Sequence, residues 1–346
     1  MIVWGGKCVR QYEKSLRLGA AIVLCALILR LFSEGLVPKT AALLNTPGIR
    51  DFLIYLETGR AVRSSSVWTL SYAPESSPAW IPETTAPAAE EEPLPEERTP
   101  EPFTREEGEA LGFFNTSGLQ ADPGELVLRD TPFPKEEGPR VLIYSTHSTE
   151  SYTQGQEPYP ETAPYRTLDK SYNMLSLGQA LEEALLDRGI PVLRDEGIYD
   201  YPSYNSAYGG SRKSLRAYLQ AYPSIALALD LHRDAADTAS GQLRTLSQSE
   251  GENTAQLMLV VGTDARGLVH PNWEENLSVG LKLQAILERL RPGLTRPTCL
   301  RPQRFNQDLS PGCLIVEIGG AGNTRQEALG TIPVLAQAIE ELLEMG

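Results

Sequence analysis

Apolar and polar positions alternate between two regimes along this chain of 346 residues. From Pro139 onward, short apolar runs and amphipathic stretches follow one another regularly. RVLIYST (140–146) is a continuous apolar run of the kind that fills a buried strand, and SYNMLSLGQALEEALLDRG (171–189) repeats its apolar residues at helical spacing until Gly189 stops it. IPVLRD, SIALALDLH, QLMLVVGTD and CLIVEIGG (313–320) read as further strands. SRKSLRAYLQAY and WEENLSVGLKLQAILERL read as helices, and RQEALGTIPVLAQAIEELLEM as one long helix opened by the capping box Thr324-x-x-Glu327. Alternation of this kind, with near-continuous apolar strands, predicts an α/β fold: a three-layer sandwich with helices on both faces of a mostly parallel sheet, over residues 139–346.

The N-terminal part follows another pattern. Lys7, Arg10, Lys14 and Arg17 precede the apolar run LGAAIVLCALIL (18–29), and Leu16 with snorkelling Arg17 and Arg30 extends it toward a membrane span at 16–36. Basic residues before the run and acidic sequence after it assign 1–15 to the cytoplasm and the rest to the outside. The expected location is therefore the cell membrane, single-pass, with an extracytoplasmic C-terminal domain. A cleaved signal peptide and a buried core helix are the competing readings of the run. A juxtamembrane segment (37–63) leads into a linker at 64–112, where PETTAPAAEEEPLPEERTPEP is too poor in apolar residues to offset its ordering entropy and reads as a disordered tether. Residues 113–138 form a lead-in to the domain.

Net charge is −14, with much of the acidic excess at 84–110, and phosphate backbones need a basic face, so nucleic acid is excluded as a partner. The four cysteines, Cys8, Cys25, Cys299 and Cys313, show no C-x-x-C spacing, which argues against a thiolate zinc site. Cys299 and Cys313 are compatible with a disulfide outside the cell or with two buried thiols.

Candidate chemistry gathers at the strand ends, where α/β folds keep their sites. Of the three histidines, His147 follows the first strand and His232 ends SIALALDLH, while Glu317 lies near the end of CLIVEIGG. His147 and Glu150 form H-x-x-E, which brings imidazole and carboxylate within reach of one ion from a single turn. With His232 they make a three-donor set of the kind catalytic zinc uses, leaving one position for water. Glu317, on an otherwise apolar strand, is the candidate base that takes a proton from that water and passes it to a leaving amine. Each element alone has a bland explanation, since an isolated H-x-x-E is more often a surface hydrogen bond.

Asp230 and Asp234 flank His232. One of them is positioned to orient the imidazole, or else to pair with Arg233 as a structural ion pair. His270, before Pro271 and a helix start, is a loop or substrate-binding candidate ranked behind the other two as a ligand. Arg212, Asn306 and the tyrosines Tyr201, Tyr204 and Tyr208 are candidates for lining a groove, although aromatic residues there are more often packing. GGAGNT (319–324) lacks the Lys-Ser/Thr ending of a phosphate loop and reads as a glycine turn into the capped helix.

HSTESY, LDLHRDA, VHPNWEENL and RFNQDLSPGCLIVEIGGAGNTRQEA, in this order, resemble the stage II sporulation protein P family over about residues 139–345. The resemblance implies a fold similar to zinc N-acetylmuramoyl-L-alanine amidases. It further implies a membrane-anchored peptidoglycan hydrolase that acts in forespore engulfment, cuts the amide between N-acetylmuramic acid and the stem peptide, and also cuts peptide cross-links. The partners implied are a lytic transglycosylase, stage II sporulation protein D, and a membrane protein, stage II sporulation protein M. By the same resemblance His147 and His232 match zinc histidines and Glu317 the catalytic glutamate. The related amidases take their carboxylate ligand from a helix after the first strand, where this chain offers only Asp169, so Glu150 departs from that pattern. Ser145 stands where the family commonly has another histidine.

Two other functions fit parts of the pattern. H-x-x-E followed later by His and Glu is also the order of zinc carboxypeptidases, which need a cation such as Arg212 or Arg233 to hold a terminal carboxylate. A catalytically inactive peptidoglycan-binding scaffold is the other, and the presence together of His147, His232 and Glu317 argues against it.

Overall fold

The structure, a computed structural model, describes residues 63–64, 100–131, 133–155, 158–238, 241–249 and 252–346. The expected cytoplasmic segment, the anchor at 16–36, nearly all of the juxtamembrane segment and most of the linker lie outside the described residues. Among the described residues no helix is long and apolar enough to cross a membrane.

Eight strands form one sheet. In chain order they are β1 (Arg63–Ser64), β2 (Phe113–Asn115), β3 (Val141–Tyr144), β4 (Val192–Arg194), β5 (Leu227–Asp234), β10 (Leu257–Gly262), β11 (Thr298–Arg301) and β12 (Cys313–Gly320). Two hairpins between β5 and β10, formed by β6 (Asp237–Thr238) with β7 (Gly241–Gln242) and by β8 (Leu246–Ser249) with β9 (Glu252–Ala255), make separate two-stranded ribbons. Across the main sheet the order is β1-β4-β3-β5-β12-β10-β11-β2. Pairing is parallel except at β1 on β4 and at β10 on β12, so the sheet is mostly parallel as expected.

Period-two alternation sorts the side chains to two faces. Val141 and Ile143 of β3 join Leu227, Leu229 and Leu231 of β5 in the larger core, against α3 (Met174–Leu186), α5 (Trp273–Leu290) and α7 (Ile332–Glu344). Leu142 and Tyr144 face the other way, onto Leu215 and Tyr218 of α4 (Ala207–Ala221). Helices thus cover both faces, unequally.

Some elements differ from the pattern. The last predicted helix is two, α6 (Arg325–Leu329) and α7, because Pro333 has no N–H to continue the ladder and Thr331 Oγ1 instead donates to the Ala255 carbonyl at 2.7 Å. The capping box at Thr324 and Glu327 is present. Residues 105–112, read as the end of the tether, carry helix α1 (Arg105–Ala110), and the lead-in supplies β2 and α2 (Pro123–Leu126). Both pack on the domain: Phe103 lies under the guanidinium of Arg289 at 4.9 Å, and β2 pairs with β11. Cys299 and Cys313 are buried free thiols.

Candidate functional site

Parallel pairing of β3, β5 and β12 brings three carboxyl ends to one edge of the sheet. In the β5–β12 register Glu317 stands directly beside His232. After β3 the chain turns tightly, with the Glu150 N–H donating to the His147 carbonyl at 3.0 Å, and this turn carries H-x-x-E back over the sheet toward β5. Glu150 Oε2 then lies 3.4 Å from His232 Nδ1, and the rings of His147 and His232 meet edge-on with centroids 5.4 Å apart. His147, Glu150 and His232 are all buried, and Glu317 is half-buried with its Oε2 enclosed. Four residues far apart in sequence therefore form one cluster.

Asp230 fixes it from below. Its carboxylate accepts from the Thr146 N–H and the Thr146 hydroxyl, each at 2.6 Å, tying the His147 turn to β5, and its Oδ1 is 3.0 Å from His232 Nε2. Arg233 ties the other side: its Nε donates to the Ser151 carbonyl at 3.0 Å, its Nη2 to the Tyr165 carbonyl at 3.1 Å, and its N–H to Glu150 Oε2 at 3.3 Å. The expected ion pair of Arg233 with Asp230 or Asp234 is not formed. Glu150 is the carboxylate Arg233 faces, and Asp234 pairs with Arg296 at 2.8 Å.

Electrostatics follow from this packing. Burial lowers the His147 pKa to about 4, so its imidazole is neutral at neutral pH. Burial would also lower that of His232, but Asp230 and Glu150 override it and hold the pKa well above its ordinary value. Glu150 shows the reverse balance: burial raises its pKa, and His232 with Arg233 outweighs this, bringing it to about 2. At Glu317 burial outweighs the opposing pull of His232 and Arg233, with Glu150 and Asp234 adding to it, and pushes the carboxyl up to about 8.

Asp200 and Arg166 belong to the site although their sequence contexts carry no signal. Asp200 accepts from the Thr149 hydroxyl at 2.6 Å and from Arg166 Nη1 at 2.9 Å, and its carboxylate is 3.8 Å from His147 Nδ1. The ring of Tyr204 covers His147, and the Arg166 guanidinium lies 4.6 Å from the Tyr204 ring centroid. Only the tyrosine cluster at 201–208 had hinted at such a wall.

Other candidates are placed elsewhere or otherwise engaged. Arg212 forms two parallel bonds to Asp308, both at 2.6 Å, so like Arg233 it is not free to hold a substrate carboxylate. The Asn306 amide donates to the Tyr208 carbonyl and to Ser211 Oγ, both at 3.0 Å, and acts as a strut behind the tyrosines. His270 is buried with neither ring nitrogen bonded, and its charged neighbours are Asp308, Asp264 and Arg304. Because β10 runs antiparallel to β12, the loop that carries His270 leaves the sheet at the end opposite Glu317. Asp169 caps a turn, accepting from the Ser171 N–H at 3.0 Å, which leaves Glu150 as the carboxylate beside both histidines.

The donor set suits a zinc ion in kind, with two imidazoles and a carboxylate, and His147 Nδ1 and Glu317 Oε2 are buried without hydrogen-bond partners. Among the described residues, however, no three His, Cys, Asp or Glu side chains converge as a metal-holding group. Both nitrogens of His232 face carboxylates, and Glu150 is turned toward His232 and the arginines.

The chain is 26% identical over 217 residues to stage II sporulation protein P of Bacillus subtilis (strain 168), an alignment covering 58% of this chain and 50% of that protein. It therefore spans about half the length of this curated relative. Among solved structures, the CwlD amidase of Clostridioides difficile, in complex with the GerS lipoprotein, covers 60% of this chain and 100% of its own at 13% identity and a TM-score of 0.37. The N-acetylmuramyl-L-alanine amidase Ami1 of Mycobacterium smegmatis covers 60% and 97% at 12% identity and a TM-score of 0.36. The family model for stage II sporulation protein P matches residues 82–340, a stretch that takes in the docked lead-in and every residue of the cluster. On that span this chain is a member of the stage II sporulation protein P family.

Proposed function

We propose that this protein is a zinc-dependent peptidoglycan hydrolase of sporulating cells, cutting the amide between N-acetylmuramic acid and the stem peptide and, by the same chemistry, peptide cross-links. The observation that carries the reading is the adjacency of Glu317 and His232 across β12 and β5, with His147 and Glu150 folded over them. Membership of the family supports the cell-wall substrate and the sporulation setting.

His147, Glu150 and His232 would hold the metal, which when bound supplies an activated water and a polarised carbonyl. Asp230 keeps the His232 imidazole oriented, and the Thr146 bonds to Asp230 keep His147 opposite it. Glu317 Oε2, enclosed and unpartnered, is placed to take up a proton and hand it to the departing amine. A carboxyl held near 8 keeps that proton close to neutral pH, and any cation brought into the cluster favours its ionised form, so both halves of the transfer are within reach.

The proposal extends to the cell membrane as location, through residues 16–36, to action in forespore engulfment, and to stage II sporulation proteins D and M as partners. The carboxypeptidase alternative lacks its cation at Arg212 and Arg233. Digestion of purified sacculi by the full chain, with metal analysis of the same preparation, tests the reading. Intact stem peptides released by protein carrying stoichiometric zinc are expected. Release of terminal amino acids alone, or full activity in metal-free protein, overturns it.

A further inference from the structure

Beside the cluster, at the same end of the sheet, lies a cavity of about 340 Å³ lined in part by Tyr152, Thr153, Tyr159, Tyr172 and Arg325. The wall between the two is thin. Tyr152 is two residues from Glu150, its hydroxyl donates to the Ile318 carbonyl at 2.8 Å, and it lies within the electrostatic reach of both Glu150 and Glu317. Thr153 continues the wall, its N–H shared between the Ala321 and Asn323 carbonyls at 2.9 and 3.0 Å.

The cavity has an apolar side and a cationic one. Tyr159 and Tyr172 stack with ring centroids 5.1 Å apart, and the Tyr159 hydroxyl is taken up by Ser151 Oγ at 3.0 Å, so that ring lines the cavity with its hydroxyl already engaged. Arg325, at the first position of α6, sits 5.9 Å from the Tyr172 ring centroid. Its Nε donates to Ser176 Oγ at 3.1 Å, which holds the side chain against α3 while the residue lines the cavity. Among the described residues Arg325 has no carboxylate partner. The contrast with the rest of the site is sharp, since Arg166, Arg212 and Arg233 each face an acidic side chain.

A half-buried arginine that lines a cavity without a carboxylate partner, with an aromatic wall beside it, fits a carboxylate attached to a short aliphatic segment. We infer that this cavity is a subsite for a carboxylate of the stem peptide, with Arg325 as its anchor, next to the cluster in which the peptide's amide is cut. The inference rests on the hydrolase reading above. Stem peptides offer two sources of that chemistry, the glutamyl carboxylate within the peptide and the carboxylate at its end. The two differ in how far the scissile amide lies from the anchor.

The test measures binding without turnover. A full-length Glu317→Gln chain is titrated with a synthetic alanyl-glutamyl-lysyl stem peptide, with its two singly amidated forms, and with peptide-free glycan. The same titrations are run with Arg325→Ala and Arg325→Lys in that background, after thermal melts establish that each variant is folded. Amidation of one carboxylate is expected to weaken binding about tenfold, the scale of one charge-assisted pair. Arg325→Ala should bind all three peptides equally weakly, Arg325→Lys should restore part of the discrimination, and glycan binding should not change. Which amidated form loses affinity identifies the carboxylate. Equal affinity of the Glu317→Gln chain for all three peptides, or a preference for the free carboxylate that survives in Arg325→Ala, overturns the subsite. Failure of the hydrolase reading is separately visible, because unsubstituted protein would then release no stem peptides from sacculi.

Discussion

The ring of Tyr204 lies flat on that of His147, with centroids 4.2 Å apart and planes 7° from parallel, and although half of Tyr204 is exposed it shuts His147 away from water. Burial is the main cause of the low His147 pKa, so Tyr204→Ala should raise it from about 4 toward the ordinary 6.5 in metal-free protein. A titration of the His147 ring resonances checks this. The same substitution should cost about 1 kcal/mol of stability, the scale of one aromatic pair. An unchanged His147 pKa would mean that other walls provide the cover.

Removing His232 has a heavier cost. Its imidazole stands between the buried carboxylates of Asp230 and Glu150, and taking it away deprives Asp230 of the imidazole beside it and leaves Glu150 to Arg166 and Arg233. His232→Ala is expected to destabilise metal-free protein by about 3 kcal/mol. His147→Ala, whose Nδ1 has no hydrogen-bond partner, should cost clearly less. Both should lose bound zinc. Denaturant melts in chelator, paired with metal analysis, separate the two effects, and equal melts would contradict the ranking.

Glu317 should behave in the opposite way. Because Oε2 has no partner to lose, Glu317→Gln is expected to fold at least as stably as the parent. Its hydrolysis of sacculi should drop at least about 100-fold, the usual scale for loss of a general acid or base. Undiminished hydrolysis would remove Glu317 from the chemistry.

A pH dependence accompanies that substitution. The Glu317 pKa is raised from 4.5 to about 8, so in metal-free protein the folded chain keeps a proton that the unfolded chain has released. The stability associated with this group is complete below pH 4.5 and is lost as pH rises to about 8. The stability difference between the parent and Glu317→Gln should therefore shift against the parent across that window and level off above it. Urea melts at several pH values would detect the trend, and a flat difference would refute it.

Arg212→Ala tests a structural role. With Asp308 deprived of its two-bond partner, the melting temperature should fall while KM for sacculi stays unchanged. A rise in KM without loss of stability would return Arg212 to the substrate groove.

The three strand-end residues were legible because an apolar run that ends in His, or is broken by Glu, violates the pattern a buried strand otherwise keeps. Glu150 was legible through the single-turn spacing of H-x-x-E. Asp200 and Arg166 were not, since they sit in long connections whose path no local pattern fixes. The exit of the His270 loop was equally hidden: QLMLVVGTD reads the same in either direction, and only its antiparallel pairing with β12 decides which end of the sheet its loop leaves. Arg233 shows a third limit. Its flanking aspartates suggested a local pair, but alternate residues of a strand point to opposite faces, and its partner comes from a turn 83 residues earlier.

Strand β2 decides where this protein can be cut. It fills the open margin of β11 with three paired residues, and helix α1 before it reaches Arg289 of α5 through Glu107. A fragment begun at residue 139, where regular patterning starts, would expose the β11 margin as a template for strand addition by neighbouring chains. Fragments that keep the β11 margin covered should begin at or before residue 100.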